Sequence, residues 1–318
     1  MTPGSVDKKE NSMQAVTKVD NANLDVVLST KPPTMLNLFW REIRNDYFAL
    51  VSLFLLMIIF LGIYIGAPIL ENRVDVMRID MFRLNLSPAD SGTLLGTDNG
   101  GREIAPLLVV SARNSLNISV AVTALSFIIG LAAGIVAGFY GGKVDNIIMR
   151  VTDTVSMMPF LMVTIAIISV LQNRNPLVFI LLLTAFTWMG RTRLVRAAAL
   201  QQRNLDYVSA SKTLGTRNIV IIVREVLPNI VDVVVANFVL TFAANIGIET
   251  GLSILGWGMG IETPSLGTLI ANATQTINLN HRWWTWAPAI VLVITIMLCI
   301  NFVGNALQRV ADPKQRLV

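Results

Sequence analysis

The sequence predicts an all-α membrane protein of six transmembrane helices, both termini cytoplasmic, with a helical loop on the cytoplasmic side. Three observations carry that prediction. Hydrophobic residues fill 53% of 318 positions and charged residues only 14%, too oily a composition for a water-soluble domain of that size. Several long stretches lack charge altogether, as a helix must over about 20 residues to cross roughly 30 Å of hydrocarbon. The basic residues also divide unevenly between the two sides that such a threading creates.

Residues 1–46 come first, polar and carrying Lys8, Lys9 and the Pro32-Pro33 pair. They are expected to be a disordered cytoplasmic tail without a cleavable signal, leaving the first span as an uncleaved anchor in the plasma membrane. Four uncharged stretches are long enough to span: Tyr47 to Leu70, Asn114 to Gly142, Thr154 to Asn173 and Trp283 to Gln308. Two shorter ones, Asn175 to Gly190 and Val233 to Ile248, complete the six by extending past a flanking charge that snorkels to the interface. Placing both termini inside leaves 18 of the 25 Lys and Arg on cytoplasmic parts; Arg73, Arg78, Arg83, Arg102, Arg113, Arg174 and Arg282 lie outside. The net charge of +5 is then a signature of topology, and no nucleic-acid partner is needed to explain it. The domain reading is a tail over 1–46, a membrane domain over 47–310 with a cytoplasmic loop at 191–229, and a cytoplasmic C-terminal tail over 311–318. Cys299, the single cysteine, falls inside the last span and forms no intrachain disulfide.

The outer segment between the first two spans centres on Leu95-Gly96-Thr97-Asp98-Asn99-Gly100-Gly101-Arg102-Glu103. Its glycines permit a tight turn, and Thr97 or Asp98 can cap a short surface helix with Ile104, Leu107 and Leu108 on one face. That helix reads either as a capped start to the second span or as part of a binding surface. In the second span Gly130, Ala133, Gly134, Ala137 and Gly138 recur at spacings of three and four, the pattern of close helix packing. A place in a substrate path is the other reading.

The 191–229 loop reads as two helices. Asp206 is placed to cap a helix over Tyr207 to Leu214, Gly215 to end it in the left-handed conformation, and a second helix starts near Asn218. Pro228 fits the first turn of the next span. The knob of Tyr207, Val208, Ala210 and Leu214 either meets a cytoplasmic protein or folds back on its own bundle. Beyond the fifth span, Trp257, Trp283, Trp284 and Trp286 suit an interfacial belt, with substrate stacking as the alternative. His281 has no second histidine or cysteine nearby, so no metal or nucleophilic site is expected there. Glu249 lies about 21 residues beyond Pro228, roughly 30 Å along a helix and so near the outer surface. Structural pairing or a gate role fits it better than proton coupling.

The register Ser209-Ala210-Ser211, Gly215, Leu227-Pro228 resembles the signature of ATP-binding-cassette (ABC) importer permeases, Glu-Ala-Ala, three residues, Gly, and later Leu-Pro. Ser209 stands for the glutamate, Ser211 for an alanine, and Glu225 where isoleucine is usual. Leu95-Gly96-Thr97-Asp98 with Gly101-Arg102-Glu103, Glu249-Thr250-Gly251-Leu252-Ser253-Ile254-Leu255-Gly256-Trp257-Gly258 with Pro264-Ser265-Leu266-Gly267, and Asn301-Phe302-Val303-Gly304-Asn305-Ala306-Leu307 with Ala311-Asp312-Pro313 narrow the resemblance. They are similar to elements of the second-type (C) subunit of dipeptide, oligopeptide and nickel permeases.

The resemblance implies that Tyr207, Val208, Ser209, Ala210, Ser211, Lys212, Leu214, Gly215, Leu227 and Pro228 couple the membrane domain to an ATPase. Thr97, Asp98, Arg102, Glu249 and Trp257 become outer-segment or gate candidates. The sequence has no Gly-x-x-x-x-Gly-Lys-Ser/Thr loop to cradle phosphates, so ATP and Mg would sit on two cytoplasmic ATPase subunits. This chain itself would bind no cofactor and catalyse nothing; His-Glu-x-x-His and Gly-x-Ser-x-Gly motifs are absent. A second homologous permease, an extracellular peptide-binding protein and surrounding lipid complete the expected partners. A nickel or other small-solute permease is the near alternative. A self-sufficient secondary transporter is the distant one, disfavoured by few spans and no detectable inverted repeat.

Overall fold

A computed structural model describes residues 35–73, 75–171, 175–260 and 263–311. The chain divides into two compact units, 1–41 and 42–318; the described part of the first is the opening of helix α1 (Met35–Asn45). The N-terminal stretch read as a tail therefore ends in a helix, while residues 1–34 and 312–318 lie outside the described residues. Among the described residues the structure is helical apart from turns and one isolated bridge, Thr97 to Glu103.

Helix α2 (Tyr47–Arg73) displays Phe48, Phe54, Met57, Ile58, Leu61 and Ile65 on its surface. Only 17% of its most apolar stretch is buried inside the bundle, against 44% for α3 (Ile104–Tyr140). An apolar helix with an apolar outer face needs a hydrocarbon solvent, so α2 is peripheral and α3 central. Helix α3 is 37 residues long and begins ten residues ahead of the predicted span. The segment expected as a separate surface helix is its first turns, because nothing between Ile104 and Asn114 breaks the helix.

The third predicted span is interrupted. Helices α4 (Gly142–Ser156) and α5 (Phe160–Val170) meet at a 74° bend. Pro159 stands at the break: it has no N–H to donate, and it keeps Met158 from continuing the helix. Helix α5, 11 residues long, reaches only about 16 Å and is too short to cross alone. The predicted span end at Asn173 lies outside the described residues.

Helix α6 (Pro176–Arg203) runs 28 residues, starting from an Asn175 cap whose side chain accepts from the Leu177 amide. It carries Arg191, Arg193, Arg196 and Arg203, so the first third of the predicted 191–229 loop belongs to this helix. Arg196 pairs with Asp145 at 2.5 Å and Arg193 with Asp153 at 2.8 Å, which lets those charges extend the helix instead of ending it. Helix α7 (Asp206–Thr213) follows, then a turn at Asn218–Ile221, a π-helical turn at Ile222–Val226, and α8 (Leu227–Ile254). After α9 (Leu266–Ala271), α10 (Ala287–Ala311) closes the bundle against α8 and α2.

Among the described residues four helices, α2, α3, α6 and α10, are long and apolar enough to cross a membrane, and the bent α4–α5 pair makes a fifth candidate. The most extensive pairing is α3 with α6. A Cβ added at Gly130 would lie 2.5 Å from Arg191 Cβ, at Gly134 2.7 Å from Val195 Cβ, and at Gly138 2.9 Å from Ala199 Cβ. The predicted small-residue stripe is thus a contact between backbones. The same interval separates each glycine from its partner, so the two helices run parallel. At the elbow end of this pair Val195, Ala199, Val208, Ile221, Val226 and Ile230 form one buried apolar cluster.

Candidate functional site

The chain offers two sites, one at each end of the bundle. At the elbow end, Leu205 occupies the N-cap of α7 without a side-chain bond, and Asp206 is the first helical residue. The predicted cap at Asp206 is therefore displaced by one position; its carboxylate acts on the first turn through the helix dipole. Gly215 ends the helix with φ +79° and has open space around it, the left-handed stop expected of it. The Thr216 amide donates back to the Ser211 carbonyl at 3.1 Å.

The predicted apolar knob is divided by the fold. Val208 is fully buried in the elbow cluster and serves as the peg that seats α7 on the bundle. Tyr207 is half-buried; its hydroxyl donates to Gln202 Oε1 at 2.7 Å and accepts from Asn229 Nδ2 at 3.3 Å. Burial pushes the Tyr207 phenol above its ordinary value. Lys212 Nζ sits 4.9 Å from the Phe139 ring centroid, a cation–π contact tying α7 to the end of α3. Ser211 donates to Glu225 Oε1 at 2.7 Å, so two of the three departures from the permease signature meet each other. Asn229 Nδ2 donates to the Glu225 carbonyl at 2.6 Å, on the π-helical turn. Leu227 packs on the elbow cluster and Pro228 takes the first turn of α8, as expected. What remains facing outward is Ser209, Ala210, Thr213 and Leu214, the last 84% exposed.

At the opposite end, Thr97, Asp98 and Arg102 form a closed knot. Asp98, 2% exposed, accepts from the amides of Gly100 and Arg102 at 2.9 Å and from Arg102 Nε at 2.8 Å. Thr97 accepts from the Leu86 amide at 2.9 Å and donates to the Arg83 carbonyl, while Trp284 Nε1 donates to the Thr97 carbonyl at 3.3 Å. Neither Thr97 nor Asp98 caps α3, whose N-cap is Glu103; both side chains are consumed in shaping the turn.

Glu249 departs most from expectation. It is fully buried, because the chain after α8 folds back over it. Ser253 donates to Oε1 at 3.0 Å and Thr250 to Oε2 at 3.3 Å, and the Ser115 and Ser265 side chains lie beside the same carboxyl. Among the described residues no cation pairs with it. Those two neighbouring hydroxyls accept backbone amides at the start of α9: Leu266 on Ser115 at 3.0 Å and Thr268 on Ser265 at 3.2 Å. Asn114 adds a bond to the Pro264 carbonyl at 2.9 Å. Ser115 and Asn114 escaped the sequence reading; their only signal was a polar pair at the head of an apolar span. Trp257 packs its ring on the cluster of α3, α5, α6 and α8. A cavity of about 280 Å³ lies between Arg102, Leu107, Ser253, Gly258, Thr263 and Asn272, bringing the knot and the α8–α9 segment together. Among the described residues no His, Cys, Asp and Glu group could hold a metal ion.

Comparison with known proteins places both sites in context. Residues 130–317 match the family model described as binding-protein-dependent transport system inner membrane component. An oligopeptide transport system permease protein of Lactococcus lactis subsp. cremoris is 44% identical over 276 residues, 86% of this chain and 93% of the relative. A dipeptide transport system permease protein of Bacillus subtilis is 35% identical over 277 residues, 87% of this chain and 85% of that one. Among solved structures, a chain of the MetNI methionine ABC transporter in an inward-facing conformation superposes with a TM-score of 0.52 at 19% identity. That match covers 65% of this chain and 96% of the other.

Proposed function

This chain belongs to the family of binding-protein-dependent transport system inner membrane components, and we propose that it is one of two pore-forming subunits of an ATP-driven peptide importer. The observation that carries the peptide assignment is the near full-length identity with permeases named for oligopeptide and dipeptide transport. Six spans with both termini inside complete the topology. The sixth is α8, 28 residues and about 42 Å long, and the elbow end then faces the cytoplasm.

In this reading Ser209, Ala210, Thr213 and Leu214 of α7, the outward-facing residues of the elbow, dock in a groove of a cytoplasmic ATPase subunit. Val208, Lys212, Leu227 and Pro228 hold that surface against the bundle, so a push on α7 is delivered to α3 through Phe139 and to α8 through the π-helical turn. ATP and Mg are bound by two ATPase subunits, and the permease supplies two arrangements of packed helices, with the energy coming from differential binding of nucleotide. The chain itself catalyses nothing. A second, related permease completes the passage, and an extracellular binding protein delivers peptide at the end formed by the Thr97–Arg102 knot and the Glu249-anchored loop.

The test is ATP-dependent uptake of labelled peptide by the reconstituted complex, with Gly215→Val as the diagnostic variant. A Cβ added there meets nothing within 4 Å, so the subunit assembles, but the left-handed turn is strained by about 1–2 kcal/mol and uptake falls. Undiminished uptake by Gly215→Val refutes the coupling role, and a wild-type complex that accumulates no peptide refutes the cargo.

A further inference from the structure

Arg191 stands where an ion pair is expected, and among the described residues none is present. It packs beside Gly130, ten residues and so about 15 Å from the end of α3 at Tyr140, and about 24 Å along α6 from Asn175. Its neighbours Arg193 and Arg196 turn to Asp153 and Asp145. Arg191 instead directs Nη1 back along the helix to the Thr187 carbonyl at 2.5 Å, away from the elbow end and from the nearer water. The guanidinium carbon lies 5.9 Å from the Phe127 ring centroid, and Phe127 packs on Phe238 at 5.2 Å. Among the described residues no carboxylate pairs with Arg191, and its Nε is buried without a hydrogen-bond partner.

The same face of α6 continues the pattern. Thr187 and Thr184 lie one and two turns back from Arg191, 7% and 3% exposed, and each hydroxyl is buried without a partner. The parallel register of α3 and α6 sets them level with Ser126 and Thr123, and Asn245 Nδ2 reaches Thr123 Oγ1 at 2.8 Å while its Oδ1 is unpartnered. A guanidinium only donates, and hydroxyls donate readily. Two partnerless hydroxyls leading to a fixed positive charge, on a helix long and apolar enough to cross a membrane, call for an anion, the Asn245 Oδ1 beside them being an acceptor outside that set, and ionisable residues within a span mark pathways.

We propose that Arg191 is an anion-binding residue in the membrane interior and that its ligand is the carboxylate of a peptide in transit; the ligand class rests on the peptide-transport reading above. The planar fork of arginine matches a carboxylate in two-point contact. Lipid phosphate stays at the bilayer surface and does not reach this depth. Arg191 is partly exposed on this chain, so the charge is accessible to a group passing beside the subunit.

The test uses the complete transporter in proteoliposomes with saturating binding protein, and compares one peptide bearing a free C-terminal carboxylate with its C-terminal amide. Wild type is expected to favour the free acid. Arg191→Gln lowers uptake of the free acid about tenfold, the weight of one charged hydrogen bond, and leaves the amide within about twofold; Arg191→Lys keeps most of the preference. Equal loss of both peptides, as a merely structural residue or a fixed pair with an acid of the partner permease would give, overturns the proposal. So does a wild type indifferent to the C-terminal group. Where Arg191→Gln fails to assemble, Arg191→Lys decides: a preserved preference supports the assignment, and parallel loss of both peptides overturns it. A wild-type complex carrying neither peptide overturns the peptide-transport reading itself, and the ligand class with it.

Discussion

Gly134→Ala separates close backbone packing from mere smallness in the α3–α6 contact. The added methyl would stand 2.7 Å from Val195 Cβ, 2.8 Å from the Thr192 carbonyl oxygen and 3.0 Å from the Arg196 nitrogen. Carbon contacts settle at about 3.5–4.0 Å, so α6 must retreat by about 1 Å over the whole interface. Two of the three obstacles are backbone atoms and cannot rotate away. Overpacking of this kind costs about 1–3 kcal/mol, while taking a glycine out of a helix interior returns about 0.5–1 kcal/mol. Gly190, inside α6, has nothing within 4 Å of an added Cβ, so Gly190→Ala receives the gain alone. Thermal denaturation of the purified complex in detergent, followed by fluorescence-detected size exclusion, should rank Gly190→Ala at or above wild type. Gly134→Ala falls below it, the pair differing by about 1–3 kcal/mol. Equal midpoints for the two variants would refute the packing argument.

Three further outcomes follow from the two ends of the bundle. Glu249→Ala leaves the Ser253 and Thr250 hydroxyls without their acceptor, at about 1–3 kcal/mol for each one stranded; limited proteolysis between residues 256 and 275 should accelerate, and an unchanged cleavage pattern would count against the anchor role. Ser211→Ala strips Glu225 of its partner at the 2.7 Å bond and should destabilise by about 1–2 kcal/mol, whereas Glu225→Ile is neutral or stabilising. The double variant should match Glu225→Ile; additive losses would show that the two residues act separately. The Ala49 amide, followed by Arg309, holds the Asp46 carboxyl below its ordinary value of 3.8. Its stabilisation is therefore complete above 3.8 and is lost as pH falls through the lower folded value. Asp46→Asn should flatten the acid limb of a stability–pH profile between about pH 5 and pH 2, and an unaltered limb would remove Asp46 from the account.

Charge and hydropathy made the spans legible because each is a sum along the chain. They could not report where a helix breaks or how far it continues. Pro159 interrupts the third span without adding charge, so a count of apolar residues passes over it. The charges from Arg191 on mark the expected end of the fourth span, yet α6 continues to Arg203, where Asp153 and Asp145, 40 and 51 positions earlier, neutralise Arg193 and Arg196. Asp206 illustrates a smaller limit: the elbow helix, its glycine stop and its proline sequel were readable from local chemistry, but the cap itself shifted by a residue, since Leu205 and Asp206 can each begin the turn. The inward direction of Val208 could not be read at all. It depends on the cluster contributed by α3, α6 and the start of α8.

Glu249 shows why height along a helix and depth within a bundle carry different kinds of information. Counting residues from Pro228 placed it correctly towards the α9 end, because rise per residue is a local constant. Its burial is not local. It requires Ser265 and the head of α9 to return over α8, Ser115 to face inward from α3, and Gly267 to bring its backbone against Ser253 and Thr250. The Glu249–Gly258 run and the Pro264–Gly267 run, which resemblance treats as two motifs, are therefore halves of one joint: the first supplies the Glu249 acceptor with its Thr250 and Ser253 donors, and the second brings Gly267 against Thr250 and Ser253. A buried carboxyl held by hydroxyls tolerates little rearrangement, because each bond lost leaves two buried polar groups unsatisfied. The α8–α9 joint should then move as one body in any transport cycle, and the flexing must fall elsewhere, at the 74° break between α4 and α5 and at the π-helical turn beneath the elbow.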